Sequence, residues 1–262
     1  MRSAWTPFVP CVAAGAAAAL LCGAPSLSAA TQAAASPSTT YRESIAGTLV
    51  GFDMVLVPGE GSVAPFYIGR TEVTWDLYDV FALGLDKPAD TESADAIARP
   101  SRPYGAPDYG WGHAGYPAIS IAREAADAFT AWLSAKTGKG YRLPTEAEWE
   151  HAAALASRPS VSLDQVAWHR GNASGRTHPI SSRAPDALGL FDLFGNAAEW
   201  VAASDGARVA RGGSFRDPLP GIGRATRAMQ DDSWNERDPQ LPKSRWWLSD
   251  APFVGFRLAK DK

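Results

Sequence analysis

The sequence predicts one α+β domain with short helices, short strands and long loops. Three observations support this class: 20 prolines and 24 glycines among 262 residues, three segments with helical periodicity before residue 157, and only short strand-like runs after it. Hydrophobic residues make up 45% of the chain and charged residues 20%, which excludes a wholly disordered or collagen-like protein. The formal net charge of −3 gives no reason to expect a nucleic-acid partner.

The first 30 residues are predicted to be a secretory signal rather than part of the fold. Arg2 is their only charged residue, an alanine-rich apolar run follows at 11–24, and residues 28–30 are the small residues that signal peptidase requires. This run is shorter than the roughly 20 apolar residues of a membrane span, so no transmembrane helix is expected in the mature protein. We therefore expect an exported protein, periplasmic or secreted, with a lipid anchor at Cys22 as the alternative.

The only cysteines, Cys11 and Cys22, both lie within the predicted signal. A mature chain without thiols has no disulfide framework, no cysteine nucleophile and no thiolate metal site. Residues 31–44 are small and polar and are predicted to be a flexible linker. The folded domain is expected to span 45–262, which is long enough to bury a sufficient core without disulfides.

The first predicted elements are a strand at 54–59 that ends in a Pro-Gly turn and a second strand at 66–69. Thr74 is a suitable N-cap for a helix that ends at Gly84. A second helix is predicted over 122–137, because its apolar residues fall on one face and Gly138 can end it. The residues of this face are Ala125, Phe129, Trp132 and Leu133.

The third predicted helix has the clearest beginning, because Thr145 and Glu148 have the spacing of a capping box. Beyond it, the runs at 189–191 and 253–258 indicate strands. Two longer stretches, 86–118 and 216–245, are predicted to be loops that carry aromatic residues.

Signatures of α/β-hydrolases, P-loop proteins and zinc metalloproteases do not occur in the sequence. The four histidines, which are His113, His151, His169 and His178, have no metal-ligand spacing, and we interpret them as surface or supporting residues.

Two short constellations could carry chemistry. In the run 195–200, a Gly-Asn turn exposes carbonyl groups and Glu199 follows, an arrangement that suits a hard cation such as calcium. The residues alone favour the alternative that Glu199 pairs with an arginine or with backbone N–H groups. In the run 211–217, Ser214 and Asp217 follow paired glycines, and the alternative is a core strand with a glycine bulge.

At these residues the sequence resembles the formylglycine-generating enzyme family, also called the sulfatase-modifying factor domain. Four blocks carry the resemblance in the expected order: 54–81, 116–153, 172–200, and 208–215 with the closing run 255–258. The resemblance extends to an exported bacterial branch that lacks the copper-binding cysteines. It implies a fold distantly similar to C-type lectins, with little regular secondary structure and with bound calcium.

The resemblance also implies a set of metal ligands. Carried over to this sequence, the structural Ca²⁺ would be held by the carbonyl groups of Phe194, Gly195 and Ala197 and by the side chain of Glu199. A second calcium site would fall near Asn172 and Ala173, where the match is loose.

The catalytic centre that the resemblance implies is incomplete in this chain. Family enzymes oxidise a substrate cysteine to formylglycine with O₂ at Cu(I) held by two cysteines. The corresponding positions here are Asp217 and Ile222, and Cu(I) prefers sulfur ligands, so no copper is expected. The serine and tryptophan that line the family's site are present as Ser214 and Trp200.

The sequence therefore leaves open whether the protein is an enzyme. In one hypothesis it is a diverged oxidoreductase or tailoring enzyme for a small molecule or peptide, with a pocket lined by Trp200, Ser214, Arg216 and Asp217, the last as a base. In the alternative it is a non-catalytic, calcium-stabilised binding or assembly module. Family-type oxidation of a sulfatase cysteine is the least favoured reading.

The binding alternative depends on where three tryptophans lie. Trp234, Trp246 and Trp247 fall in a charge-rich, loop-like stretch and could present their rings to a sugar or peptide. Ordinary core packing is the other explanation, and it is favoured because tryptophan is highly buried on average.

Overall fold

A computed structural model describes residues 40–87, 99–157 and 162–262 of the chain. The predicted signal and the first part of the predicted linker lie outside these residues. The last five residues of the predicted linker, Thr40–Ser44, form a strand instead, because each of them pairs with a residue of 51–55. Strand β1 therefore lies before the predicted domain boundary at residue 45.

Nine strands and four α-helices make up the regular structure of the described residues. The strands are β1 (Thr40–Ser44), β2 (Gly51–Val57), β3 (Phe66–Gly69), β4 (Tyr141–Arg142), β5 (Ala198–Ala202), β6 (Arg208–Gly212), β7 (Gly223–Met229), β8 (Val254–Phe256) and β9 (Ala259–Asp261). The helices are α1 (Trp75–Ala82), α2 (Arg123–Thr137), α3 (Glu146–Ala156) and α4 (Leu163–Val166). This mixture confirms the α+β class. Within the described residues, no helix is long and apolar enough to cross a membrane.

The first sheet joins the two ends of the described chain. Its five strands lie in the order β1-β2-β3-β9-β4, and all neighbours are antiparallel. The C-terminal strand β9 lies between β3 and β4, where Ala259 pairs with Ile68 on one side and Arg142 on the other.

The second sheet has four strands in the order β7-β6-β5-β8, with β5 and β8 parallel. The register between β6 and β7 shifts between Arg211 and Gly212, which is the glycine bulge that the sequence offered as an alternative for this run. Strand β7 lies inside the stretch 216–245 that was predicted to be a loop, so that prediction was wrong in part.

The helices begin where the sequence predicted. The Thr74 side chain caps α1, and Thr145 and Glu148 form the complete capping box of α3. Helix α2 ends at Gly138, whose φ of 69° is a left-handed conformation that glycine adopts without strain. The short helix α4 was not predicted, and the predicted strand at 189–191 is a turn.

Two adjoining groups of buried side chains form the core. One is rich in aromatic rings, among them Trp75, Tyr78, Phe129 and Phe256. The other packs the first sheet against α3 and β6 through Phe66, Ile68, Trp149 and Val209. The residues of the candidate site lie in the turn before β5 and in the loops that follow α1, β6 and β7.

Candidate functional site

The Gly195–Asn196 turn is a left-handed corner that joins three segments of the chain. Gly195 has a φ of 77° and Asn196 a φ of 51°. A Cβ atom on Gly195 would lie 2.2 Å from the carbonyl oxygen of Trp168, so only glycine fits. The backbone N–H of Asn196 donates to the same Trp168 oxygen at 2.8 Å, and the N–H of Phe215 donates to the Asn196 carbonyl at 2.9 Å.

The buried carboxylate of Glu72 binds this turn through hydrogen bonds. Sequence reasoning did not identify this residue. Its carboxylate accepts hydrogen bonds from the Asn196 side-chain amide and from the Ala197 N–H, both at 2.9 Å. Burial raises the pKa of Glu72, and the nearby charges of Asp192 and Glu199 raise it further. Glu72 follows Arg70 and Thr71 just before the N-cap Thr74, so no local signal in this polar run marked it as a buried residue.

Glu199 is completely buried and is paired with Arg257 rather than exposed to a cation. Oε1 accepts from Arg257 Nε at 2.9 Å and from Nη2 at 2.7 Å, while Oε2 accepts from Trp149 Nε1 at 2.9 Å and from Arg257 Nε at 3.1 Å. Three N–H groups therefore engage both oxygens of the carboxylate, with the Nε–H of Arg257 shared between them. Glu199 therefore does not fit the predicted role of calcium ligand, and the arginine pairing offered as its alternative is what the structure contains.

The other predicted calcium ligands lie around the same corner. Phe194 is 3% and Ala197 1% exposed, with Gly195 between them in the turn. Near the looser second site, the Asn172 side chain is already used, because its Oδ1 accepts from the His169 N–H and its Nδ2 donates to the Ala167 carbonyl. Ala173 is buried beside it. Within the described ranges, no three His, Cys, Asp or Glu side chains are grouped so that they could hold a metal ion.

The interior around Glu199 holds more acids than arginines. Asp192 is 2% exposed, its Oδ2 accepts from the Ser181 N–H at 2.8 Å, and its Oδ1 has no hydrogen-bond partner. Burial raises the pKa of Asp192 to about 6. The pKa of Glu72 is shifted in the same direction, so burial disfavours the ionised form of two carboxyl groups beside this turn.

Trp200 lies inside the core and not on the wall of a cavity. Its side chain is 0% exposed, its Nε1 donates to the Ile121 carbonyl at 2.8 Å, and its ring lies 5.5 Å from that of Trp234. The expectation that Trp200 lines an open pocket is therefore wrong for this structure. Its buried indole instead links β5 to the segment just before α2 by a hydrogen bond.

Ser214, Arg216 and Asp217 come together in one closed turn. Asp217 Oδ2 accepts from the Ser214 N–H at 2.8 Å and from the Ser214 hydroxyl at 2.9 Å, which leaves Ser214 1% exposed. The Arg216 guanidinium lies 3.7 Å above the Phe253 ring, and burial lowers its pKa. Ile222, at the second position of a family cysteine, is 5% exposed and packs in the core. The serine and the aspartate thus hold each other instead of facing a substrate.

An open cavity lies elsewhere, between residues 101–109 and residues 235–249, and we call it the aromatic cavity. Its volume is about 320 Å³ and its lining is mostly apolar. A chain of rings connects it to the Ser214 turn, since Phe215 meets Trp111 at 5.2 Å and Trp111 stacks on Tyr109 at 5.1 Å. Sequence reasoning placed aromatic loops here but did not predict that they enclose a cavity.

The three tryptophans of the binding alternative divide between core and cavity. Trp234 and Trp246 are 7% and 8% exposed, as expected for core packing. Trp247 is half-buried and lines the aromatic cavity. One ring of the three, and not a patch of all three, is therefore available to a ligand.

Comparison with known proteins gives a family match for most of this chain. The family described as "Sulfatase-modifying factor enzyme 1-like domain" matches residues 58–262. A segment of 152 residues is 30% identical to "Formylglycine-generating enzyme" of Streptomyces coelicolor and covers 44% of this chain and 46% of that protein. A segment of 132 residues is 30% identical to "Inactive C-alpha-formylglycine-generating enzyme 2" of Bos taurus and covers 40% of each chain. The chain spans less than half the length of these relatives.

The fold is also that of a solved structure, PvdO from Pseudomonas aeruginosa. The two chains superpose with a TM-score of 0.59 at 24% sequence identity, over 87% of this chain and 100% of PvdO. At this identity the likeness concerns the fold alone.

Proposed function

Because the chain belongs to the family of sulfatase-modifying factor enzyme 1-like domains, we propose that it is an exported binding protein of this family that does not oxidise cysteine. The observation that carries the proposal is the closed Ser214–Asp217 turn. The side chain at the first copper-ligand position is hydrogen-bonded through Oδ2 to the serine that would line the active site, and that serine is buried.

The chemistry of the missing ligands supports the same conclusion. The chain has two cysteines, and both fall in the predicted signal. Cu(I) is bound by thiolate and thioether sulfur, and an aspartate and an isoleucine supply neither. Ile222 is moreover enclosed by the glycine bulge, since a Cβ atom on Gly213 would lie 2.8 Å from its side chain.

Two further observations support a binding role. Relatives named "Inactive C-alpha-formylglycine-generating enzyme 2" indicate that members of this family persist without the oxidation. The aromatic cavity gives this chain a concave, largely apolar surface, which is where small ligands bind in proteins. Export through the signal at 1–30 would place this surface outside the cytoplasm in a chain that needs no disulfide.

A diverged oxidoreductase is the competing proposal that follows from the sequence, and it requires Asp217 to act as a base. In the closed turn Asp217 Oδ2 is the acceptor of both Ser214 donors, so that role falls to Oδ1 or is exerted through the Ser214 hydroxyl. The two proposals therefore differ in whether Asp217→Asn changes any reaction with oxygen.

The test is oxygen uptake by the mature protein with a cysteine-containing sulfatase peptide and added Cu(I), with the Streptomyces coelicolor enzyme as the positive control. We expect no stoichiometric copper and no peptide-dependent oxygen uptake. Copper binding with peptide-dependent uptake would overturn the proposal. Uptake that is lost in Asp217→Asn would also overturn it and would favour the diverged oxidoreductase.

A further inference from the structure

The aromatic cavity is formed by two loops that are distant in sequence and are fixed to each other by side chains. Trp247 Nε1 donates to the Ser101 carbonyl at 2.6 Å, and the Tyr109 hydroxyl donates to the Ser249 carbonyl at 2.9 Å. Each bond runs from one loop to the other. The cavity is therefore formed before any ligand arrives, which reduces the entropy lost on binding.

These two bonds also determine what the cavity offers a ligand. They engage the polar ends of Trp247 and Tyr109, so the parts of both side chains that remain for the cavity are ring atoms. Trp247 is supported from behind by the rings of Trp75 at 6.4 Å and Tyr78 at 5.8 Å. Two fixed aromatic rings in a small cavity favour a flat, apolar body.

The charged groups of the cavity are arranged to favour an anion. Asp238 is its acid, and it is already satisfied, because Oδ1 accepts from the Gln240 N–H at 2.9 Å and Oδ2 accepts from the Ser244 N–H. Arg102 lines the cavity, is exposed, and makes no ion pair within the part of the chain that the structure describes. Arg237 also lines the cavity but is paired with Asp250, so Arg102 is the guanidinium that can donate to a bound anion.

The cavity also carries a third ring, which is exposed. Tyr104 is 82% exposed and lines the cavity two residues after Arg102. A volume of about 320 Å³ lies at the small end of the range for ligand sites, so it suits a small molecule and not an extended chain.

We propose that the aromatic cavity binds a small aromatic carboxylate, with its ring against Trp247 and Tyr109 and its carboxylate on Arg102. This inference rests on the proposed binding role and names the ligand class of that role. It assigns no reaction to the cavity, so it would survive the discovery of an activity at the Ser214 turn.

The experiment is calorimetric titration of the mature protein with three probes. We use 2-naphthoate, the neutral alcohol 2-naphthylmethanol, and cyclohexanecarboxylate, which keeps the charge without the aromatic ring. We expect saturable one-to-one binding of 2-naphthoate and roughly tenfold weaker binding of each of the other two, since one charge-assisted hydrogen bond or one stacked ring is worth about that factor. Equal binding of the acid and the alcohol, or no saturable binding of 2-naphthoate, would overturn the inference.

Two arginine variants locate the site. Arg102→Gln should weaken the binding of 2-naphthoate roughly tenfold and leave the binding of 2-naphthylmethanol unchanged. The matched control is Arg176→Gln, because Arg176 is also exposed and does not line the cavity. If Arg176→Gln weakens binding as much as Arg102→Gln, the anion is attracted by overall charge and the assignment of the site is wrong. These readouts are independent of the oxygen measurements, so failure of the ligand class and failure of the proposed function are distinguishable.

Discussion

The guanidinium of Arg257 encloses the carboxylate of Glu199 through N–H···O contacts of 2.7, 2.9 and 3.1 Å, with both side chains at most 1% exposed. The pair joins the run 195–200 to the closing run 255–258. Arg257 also donates to the carbonyl groups of Gly69 and Phe191, so this one side chain connects both sheets and the Asp192 turn. The residue expected to bind calcium thus contributes to the structural centre of the domain.

Removal of Arg257 should destabilise the protein strongly. Arg257→Met leaves the Glu199 carboxylate buried without its partner, which we expect to lower the free energy of unfolding by about 3–5 kcal/mol. Urea denaturation checks this value. The matched control is Arg42→Met, because Arg42 pairs with Asp53 at the surface with 62% of its side chain exposed, and its loss should cost less than about 1 kcal/mol. Equal effects of the two variants would contradict the central role of the buried pair.

Chelation of calcium should leave the stability unchanged. A ligand that binds only the folded state raises the melting temperature, and both oxygens of the Glu199 carboxylate are already engaged by Arg257 and Trp149. We therefore expect the same melting temperature in Ca²⁺ and in a chelator, and no stoichiometric calcium by elemental analysis. A calcium-dependent rise would restore the metal site that the sequence predicted.

Stability should fall as the pH rises above about 6.5, in part because of His113. Burial lowers the pKa of His113, but hydrogen bonds and charges from Asp79 at 2.9 Å and Asp108 at 2.8 Å outweigh this, and the net shift is upward. Both ring nitrogens face carboxylates, so only the imidazolium can donate to both. A group whose pKa is raised by folding stabilises the folded protein at pH values below its unfolded pKa. This stabilisation is lost as the pH rises through the folded pKa.

Thermal melts across this pH range, for the wild type and His113→Gln, measure the contribution of the histidine. The variant should lose part of the pH dependence, because its amide does not titrate. Asp192, whose pKa burial raises to about 6, adds a dependence of the same sign at lower pH, between about 4 and 6, so it does not account for the change above 6.5. A variant with the full wild-type pH dependence would show that His113 does not contribute.

The Gly195 corner should tolerate no side chain. Gly195→Ala would place Cβ 2.2 Å from the Trp168 carbonyl oxygen, and we expect a loss of more than about 4 kcal/mol in the free energy of unfolding, or no folded protein. Gly175→Ala is the control, because Gly175 has a similar φ of 71° with no atom within 4 Å of the added carbon. The Gly175→Ala variant should lose only roughly 1–2 kcal/mol in the free energy of unfolding, because of backbone strain. Similar losses in both variants would mean that strain and not the close contact decides the outcome.

Local signals in the sequence predicted several elements well. The capping box at Thr145 and Glu148, the N-cap at Thr74 and the glycine end of α2 depend on contacts within a few residues, and the structure confirms them. The run at 189–191 has the composition of a strand, but the positive φ angles of Gly189 and Asp192 make it a turn. No local signal marked Thr40–Ser44 as a strand, because its order comes from pairing with β2.

The sequence by itself determined the family, the α+β class, the beginnings of α1, α2 and α3 and the absence of the copper-binding cysteines, because each follows from residue types at fixed spacing. The tertiary structure decided the roles of particular side chains. Glu199 meets Arg257 across 58 residues, and Tyr109 reaches Ser249 across 140. A carboxylate binds a cation or an arginine according to which of them the fold brings within about 3 Å, and two loops form a cavity only when the core aligns them.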